Sequence, residues 1–427
     1  MNSASLTRQQ NWISKLSLYP VSSVLARILK QDSFKKLEGS LTLYLPNGEV
    51  LEIGNGQTGQ LEPGRLTIHK MSGLSRVVRN GLLGFADAYI RKEFDTPDLK
   101  AVFHFFVTNR ERILANLPEL FRLGKAARSF HRRRENTHAG SRDNIHAHYD
   151  LGNAFYSQWL DESMTYSSAL FESEGQGLSE AQDNKYRRII ELARLEGANK
   201  VLEIGCGWGG FAELAARETN AQVTGISISR AQLEYAGRRI AEAGLSDQVE
   251  LRFEDYRDTA GTFDALVSIE MIEAVGEQYW PLYFQTLRDR LSPGGTAVLQ
   301  AITISPDLFD SYRERVDFIQ RYIFPGGMLM TNRHVHDLAE QTGMTVTRVE
   351  EFPDSYARTL GLWHERFNRC WETISELGFD DTFRRKWNYY LKYCEAGFEA
   401  GTISVGLYQL VHSGSPSSAT DNYRELS

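Results

Sequence analysis

The stretch Val201-Leu-Glu-Ile-Gly-Cys-Gly-Trp-Gly-Gly210 decides the reading of this chain. An apolar run enters a turn dense in glycine, and a helical pattern resumes at Phe211. Strand, glycine-rich loop and helix in that order predict a ligand-binding βα unit. Gly205, Gly207 and Gly209 let the main chain turn tightly and let a ligand come close to it. The G-x-G-x-G spacing, with the acidic Glu203 inside the strand, favours S-adenosylmethionine (SAM) over the G-x-G-x-x-G pattern of dinucleotide sites. The next strand points the same way. A dinucleotide fold carries an acidic residue there for the ribose, whereas this chain has Gly225-Ile-Ser-Ile-Ser229 and then Gln232. A bare turn would not need three glycines, each of which costs backbone entropy on folding.

Further strands are predicted at 223–228, 248–253, 263–269 and 296–302, separated by helices at 230–243 and 280–291. Such alternation predicts a parallel, doubly wound α/β sheet. Residues 345–349 and 403–411 extend it as sixth and seventh strands. The segments 303–344 and 351–402 read as mostly helical insertions, rich in Phe, Tyr and Trp, that cover the site as a lid. Ser179 with Gln182 reads as a capping box opening a helix that runs to about residue 195. In open α/β sheets the ligand lies at the carboxyl ends of the strands. That gathers the glycine loop, Ser227 after the second strand and Glu273 after the fourth.

Ahead of this unit the pattern differs. Residues 21–30 read as a short amphipathic helix. Residues 35–70 alternate polar and apolar around an Asn47-Gly48 turn, which predicts a small β meander. A helix is expected over 74–94. A strongly apolar one follows over 98–123, capped by Asp95-Thr96-Pro97, and reads as a core helix ahead of a lipid-touching one. Then Arg122, Lys125, Arg128, Arg132, Arg133, Arg134 and Arg142 stand against Glu135 alone. That is either a solvated linker or a patch drawn to anionic lipid head groups, at about 1 kcal/mol per basic residue near such a surface. The expected domains are an N-terminal, lipid-associating α+β domain (1–121), a basic linker (122–143), a catalytic domain (144–411) and a disordered tail (412–427).

Composition narrows the function. The chain has 48 Lys and Arg against 55 Asp and Glu, a net charge of -7, which excludes bulk nucleic-acid binding. Cys206, Cys370 and Cys394 make no metal-type spacing, and their odd count fits a reducing compartment. The N-terminus has no signal-peptide pattern, and no run approaches the roughly twenty apolar residues of a membrane span. A cytoplasmic protein, at most peripheral to a membrane, is expected.

Several motifs occur in a specific order: His148-Tyr-Asp-Leu-Gly-Asn153, Met164-Thr-Tyr-Ser167, the 201–210 loop, Asp255-Tyr-Arg-Asp258, Glu270-Met-Ile-Glu-Ala-Val-Gly276, Tyr322-Ile-Phe-Pro-Gly-Gly327 and Tyr356-Ala-Arg-Thr-Leu360. With them the chain resembles the cyclopropane-fatty-acyl-phospholipid synthase family, which includes mycolic acid cyclopropane synthases and fatty-acid C-methyltransferases. The resemblance runs from Asn144 to about Leu410, and Gly81–Tyr89 resembles an N-terminal stretch of the family. It implies the class I SAM-methyltransferase fold, Rossmann-like and doubly wound. It implies SAM held by Tyr166, Ser167, Glu203, Gly205, Gly207, Gly209, Ser227, Gln232, Asp255 and Tyr256. It implies one-carbon transfer to a cis double bond in phospholipid acyl chains, closing a cyclopropane ring, at an anionic membrane surface.

The alkene is a weak nucleophile, so catalysis must come from alignment and exclusion of water. Aromatic faces would stabilise the carbocation; Tyr166, Phe171, Tyr322, Phe324, Tyr356 and Trp363 are candidates. The family's base is a bound bicarbonate in a cradle of Cys, Glu, His, Tyr and a backbone amide. Here Glu273, Tyr356 and the amide of Ile302 match, but Ser168 stands at the Cys position and Gln300 at the His position. Bicarbonate is retained through these two polar residues, or Glu273 becomes the base where burial raises its pKa. The forms Glu270-Met-Ile-Glu273 and Gln300-Ala-Ile-Thr303 resemble a branch linked to methyl-branched fatty acids. Three alternatives to ring formation therefore stand: a methyl- or methylene-branched product, an N- or O-methyltransferase acting on a small molecule, and a lipid binder without chemistry. A homodimer is compatible with all of them.

Overall fold

A computed structural model describes residues 32–56, 62–116, 136, 151–198 and 200–413. The 21–30 helix, the basic linker apart from Asn136, the 148–150 part of the His148 motif and the tail beyond 413 lie outside the described residues. By internal contacts the chain divides into two units. One takes the chain up to Lys125 together with Asp381–Ala396; the other takes Ala126–Asp380 and the chain from Gly397.

The first unit carries a four-stranded sheet of β1 (Leu41–Tyr44), β2 (Val50–Ile53), β3 (Gly64–Ile68) and β4 (Phe94–Asp95), in the order β2-β1-β3-β4. The hairpin β1–β2 is antiparallel as expected, but β3 runs parallel to β1, so the sheet is not a meander. By taking the other edge of β1, β3 lets Leu66 and Ile68 join Leu41, Leu43 and Ile53 in one buried face. The helix Met71–Ile90 bends at Gly81, whose φ of +58° only glycine adopts freely. Asp98, one residue beyond the predicted cap, accepts from the amide of Ala101 at 3.1 Å and opens the helix Leu99–Thr108.

The single apolar helix expected to reach residue 123 breaks at Asn109. Its buried amide donates to the carbonyls of Glu38 and Phe105 (2.8 and 2.9 Å) and accepts from the Glu38 amide at 2.8 Å. A second helix, Arg110–Asn116, starts there. Phe103 meets Tyr389 edge-on at 4.9 Å and Phe85 at 6.3 Å, which is the packing of a core helix. Arg385 also donates to the carbonyls of Tyr89 and Phe94, at 2.7 and 2.8 Å. These contacts draw Asp381–Ala396, expected in the catalytic domain, into the N-terminal unit.

The second unit is built on a seven-stranded sheet: β5 (Lys200–Ile204), β6 (Gln222–Ser227), β7 (Val249–Phe253), β8 (Phe263–Ile269), β9 (Leu291–Ile304), β10 (Met344–Glu351) and β11 (Ile403–His412). The order is β7-β6-β5-β8-β9-β11-β10. Strands β5 to β9 are parallel, as the βα alternation predicts. β11 runs antiparallel to both neighbours, so the sheet is mixed. The chain inserts its last strand between β9 and β10 from the opposite direction, a common edge variation on an otherwise parallel sheet. The order reverses between β5 and β8, which leaves a crevice at their carboxyl ends. The helix Leu178–Ala193 begins at Gly177 with no side-chain cap, so Ser179 and Gln182 form no capping box. Gln182 is instead buried and donates to the Ser167 carbonyl at 2.9 Å. No described helix is long and apolar enough to cross a membrane.

Candidate functional site

The glycine loop leaves β5 with φ values of +83° at Gly205, +51° at Gly207 and +82° at Gly209, where L-residues pay strain. The amides of Gly205 and Cys206 both donate to the Ile226 carbonyl (2.9 and 3.0 Å), tying the loop to β6. A Cβ on Gly205 would lie 2.9 Å from Met271 Cγ, whereas the space at Gly207 is open. Beneath the loop, Glu203 is buried and its Oε2 has no hydrogen-bond partner among the described residues. Burial pushes this carboxyl up to about 8, against the pull of the Lys185 charge. An unpartnered buried carboxylate oxygen below an open glycine turn fits a ligand that carries positive charge, as SAM does.

At the end of β6, the Ser227 hydroxyl donates to Gln232 Oε1 at 3.1 Å and accepts from the Ser229 amide at 3.1 Å. Ser229 caps the helix Arg230–Glu242, which sets Gln232 in its first turn. After β7, Asp255 makes a two-pronged, buried ion pair with Arg257, at 2.8 and 2.6 Å. Arg257 also donates to the Asn136 carbonyl at 3.1 Å. The carboxylate assigned to adenine is thus already engaged within its own loop. Tyr256 packs edge-on against Tyr283 at 5.1 Å, and burial pushes its hydroxyl up to about 12.

Two carboxylates stand just past β8. Glu270 Oε1 accepts from the Ser168 amide at 2.8 Å and from Gln300 Nε2 at 2.7 Å, and Oε2 accepts from the Tyr356 hydroxyl at 2.6 Å. Glu273 Oε1 accepts from the Ile302 amide at 2.6 Å, and its Oε2 has no partner among the described residues. Both keep a small accessible face, as residues lining a crevice do, yet protein surrounds them. Burial and the neighbouring Glu270 push Glu273 up to about 8. Burial raises Glu270 too, opposed by its three donors and the Lys185 charge.

The Ser168 hydroxyl turns away and donates to the Ala169 carbonyl at 2.9 Å, so at the Cys position only the main chain faces the carboxylate. Lys185, from the helix Leu178–Ala193, is wholly buried and donates to Ser167 Oγ at 2.8 Å. Burial pulls its ammonium down to about 7, against Glu270, Asp161 and Glu203. Neither Glu270 nor Lys185 was given a role by the sequence reading. For Lys185 a signal existed: it shares a helical face with the buried Ala181, Gln182, Tyr186 and Ile189.

The aromatic candidates divide. Tyr166 meets Tyr156 at 5.4 Å, Trp159 at 5.6 Å, Trp363 at 5.3 Å and Phe324 at 6.2 Å. Tyr356 continues the wall, edge-on to Trp363 at 6.2 Å. Phe171 is covered by the Arg358 guanidinium at 4.0 Å, and Tyr322 packs beside Phe318 at 5.4 Å. The wall therefore consists of Tyr166 and Phe324, which keep accessible surface, backed by the wholly buried Trp363 and by Tyr356, which stacks on Phe398 at 4.4 Å.

Residues 136–409 match the family model described as mycolic acid cyclopropane synthetase. The chain is 36% identical over 385 residues to the tuberculostearic acid methyltransferase UfaA1 of Mycobacterium tuberculosis, covering 87% of this chain and 89% of that protein. It is 36% identical over 268 residues to the cyclopropane-fatty-acyl-phospholipid synthase of Escherichia coli, covering 62% and 66%. Among solved structures, the mycolic acid cyclopropane synthase CmaA1, complexed with SAH and CTAB, superposes with a TM-score of 0.60 at 27% identity, covering 63% of this chain and 97% of that one. Family model, glycine loop and fold agree: the chain belongs to the mycolic acid cyclopropane synthetase family of SAM-dependent, lipid-modifying methyltransferases.

Proposed function

We propose that the protein transfers one carbon from SAM to the cis double bond of a fatty acyl chain carried on a phospholipid, leaving a methylene-branched chain. The observation that carries this reading is the pairing of Glu270 and Glu273 with the wall of Tyr166, Phe324, Trp363 and Tyr356 beside the glycine loop. The branched product is favoured by the relationship to the tuberculostearic acid methyltransferase, which extends over both units. Ring closure is the second reading, favoured by the match to the Escherichia coli synthase and by Glu273 and Tyr356 at their expected positions. The basic stretch at 122–142 supports work at an anionic lipid surface on the cytoplasmic side.

SAM supplies an electrophilic methyl group on a sulfonium sulfur. The loop at Gly205–Gly209, Glu203, Ser227 and Gln232 would hold it. The aromatic wall excludes water, and its accessible rings, Tyr166 and Phe324, offer π faces to the cation formed on the acyl chain, each worth roughly 0.5–2 kcal/mol. A carboxylate at the end of β8 receives the proton. If the methyl C–H pair closes onto the cationic carbon, a ring forms. If a hydride first moves from the methylated carbon to its cationic neighbour, loss of a methyl proton leaves an exocyclic methylene.

The test is incubation of purified protein with SAM and vesicles of cis-monounsaturated phospholipid, followed by mass spectrometry and proton NMR of the released chains. A gain of one CH2 with vinylidene protons is expected. Upfield ring protons would replace the product and keep the transfer. SAM binding with no mass gain would refute the acyl-chain reading and favour a small-molecule acceptor.

A further inference from the structure

We propose that the Glu270 carboxylate is the proton acceptor of this reaction, a base built into the chain where a free anion would otherwise have to sit. The proposal rests on the acyl-chain reading above. Its ground is the way Glu270 is held. Three donors from three separate elements converge on it: the Ser168 amide before the helix Leu178–Ala193, Gln300 Nε2 on β9, and the Tyr356 hydroxyl on the helix Pro353–Arg369. The fourth donor of the expected bicarbonate cradle, the Ile302 amide, is engaged by Glu273. Each residue the sequence assigns as a donor to an exogenous anion thus already serves a carboxylate of the chain, Ser168 through its amide and not its hydroxyl.

The backbone agrees. Glu270 has φ of +48°, in the left-handed region that a residue with a side chain enters only at a cost. Its amide donates to the Gln300 carbonyl at 2.9 Å, so β9 grips both ends of the residue. Strain of this kind persists where surrounding contacts over-determine it, and such positions cluster at functional sites. Glu270 also stands beside Tyr356, which belongs to the aromatic wall, so its carboxylate borders the space where the cation forms. Glu273 has one donor and an uncompensated neighbour, which makes it the partner that carries a proton at neutral pH.

The step balances without a further reactant. The alkene π pair forms the new carbon–carbon bond, and the carbon–sulfur pair departs with sulfur, leaving a neutral thioether and a carbocation. Glu270 takes a proton from the transferred carbon. The freed C–H pair closes the ring directly or, after the hydride shift, forms the methylene double bond. The proton then passes to solvent and restores the carboxylate.

The test uses the full-length protein in three forms: wild type, Glu270→Gln and Glu270→Gly. Glycine is at ease at this φ, and its variant leaves the three donors facing an empty seat. Wild-type turnover is expected to be the same in carbonate-free and bicarbonate-containing buffer. Glu270→Gln is expected to lose turnover by about 100-fold or more, the usual worth of a general base, with SAM affinity kept. Glu270→Gly is expected to regain turnover with added formate or bicarbonate. In 13C NMR of the SAH-loaded proteins, labelled bicarbonate is expected to bind Glu270→Gly and not the wild type.

Loss of wild-type turnover on bicarbonate removal, near-normal turnover in Glu270→Gln, or bicarbonate bound to the wild type would each overturn the proposal. If the wild type modifies no acyl chain, it is the acyl-chain reading that has failed. The bicarbonate-binding contrast between wild type and Glu270→Gly still decides whether Glu270 fills the anion seat.

Discussion

Binding of SAM should expel a proton from Glu203. This carboxyl stands near 8, so at pH 7 it is about nine-tenths protonated in the ligand-free protein. A cationic group within hydrogen-bond range of its unpartnered Oε2 favours the charged form, and opposite charges at such distances lower a carboxyl pKa by about 1–3 units. A drop of about two units leaves roughly a tenth of the sites protonated at pH 7, a release of about 0.8 proton. The sign follows: SAM affinity rises with pH between about 6 and 8 and levels off above about 9, where the free carboxyl has already ionised.

Lys185, near 7 and in the same electrostatic cluster, also sheds protons when a cation arrives. The wild-type release is therefore the sum of both, and the variant Glu203→Gln isolates the carboxyl. The assay is titration calorimetry of SAM binding in buffers of differing ionisation enthalpy. Glu203→Gln is expected to release about 0.8 proton fewer than the wild type and to flatten the pH dependence. Equal proton release in the two proteins would refute the assignment of Glu203 to the bound ligand.

Glu273→Gln is expected to keep turnover within about tenfold, because a neutral amide resembles the protonated carboxyl that burial favours there; steady-state rates beside those of Glu270→Gln decide it, and equal loss in both variants would contradict the division of roles. Asn109→Ala is expected to destabilise the N-terminal unit by about 1–3 kcal/mol, since it strips partners from Glu38 and Phe105. The check is a lower urea midpoint with an unchanged slope. Neutralising Arg132, Arg133 and Arg134 together is expected to weaken binding to anionic vesicles at low salt by roughly 3 kcal/mol at most. Unchanged sedimentation with vesicles would return that stretch to a plain linker.

Much of the catalytic unit was legible because its signals are local. The run into Gly205 and the alternation of strands and helices follow from short-range sequence, and they place Glu203 and Ser227 on strands β5 and β6 and Gln232 at the start of the helix after β6. What escaped depends on contacts distant in sequence. The reversed β11 pairs with strands about 50 to 100 residues earlier, and no local pattern records strand direction. The break at Asn109 depends on Glu38, 71 residues away. Glu270 lay in plain view three residues before Glu273, but its meaning comes from Ser168, Gln300 and Tyr356, each 30 or more residues away. The roles of Ser168 and Gln300 also needed coordinates. One side chain turns from the site while its amide serves it, and the other donates to a carboxylate instead of cradling a free ion.

The most direct test of the central claim uses SAM carrying a trideuterated methyl group and vesicles of cis-monounsaturated phospholipid, with mass spectrometry of the released acyl chains. The account expects chains heavier by CD2, because the methyl group joins the chain and one of its deuterons is then taken by the base. Unlabelled chains recovered alongside turned-over SAM would contradict it.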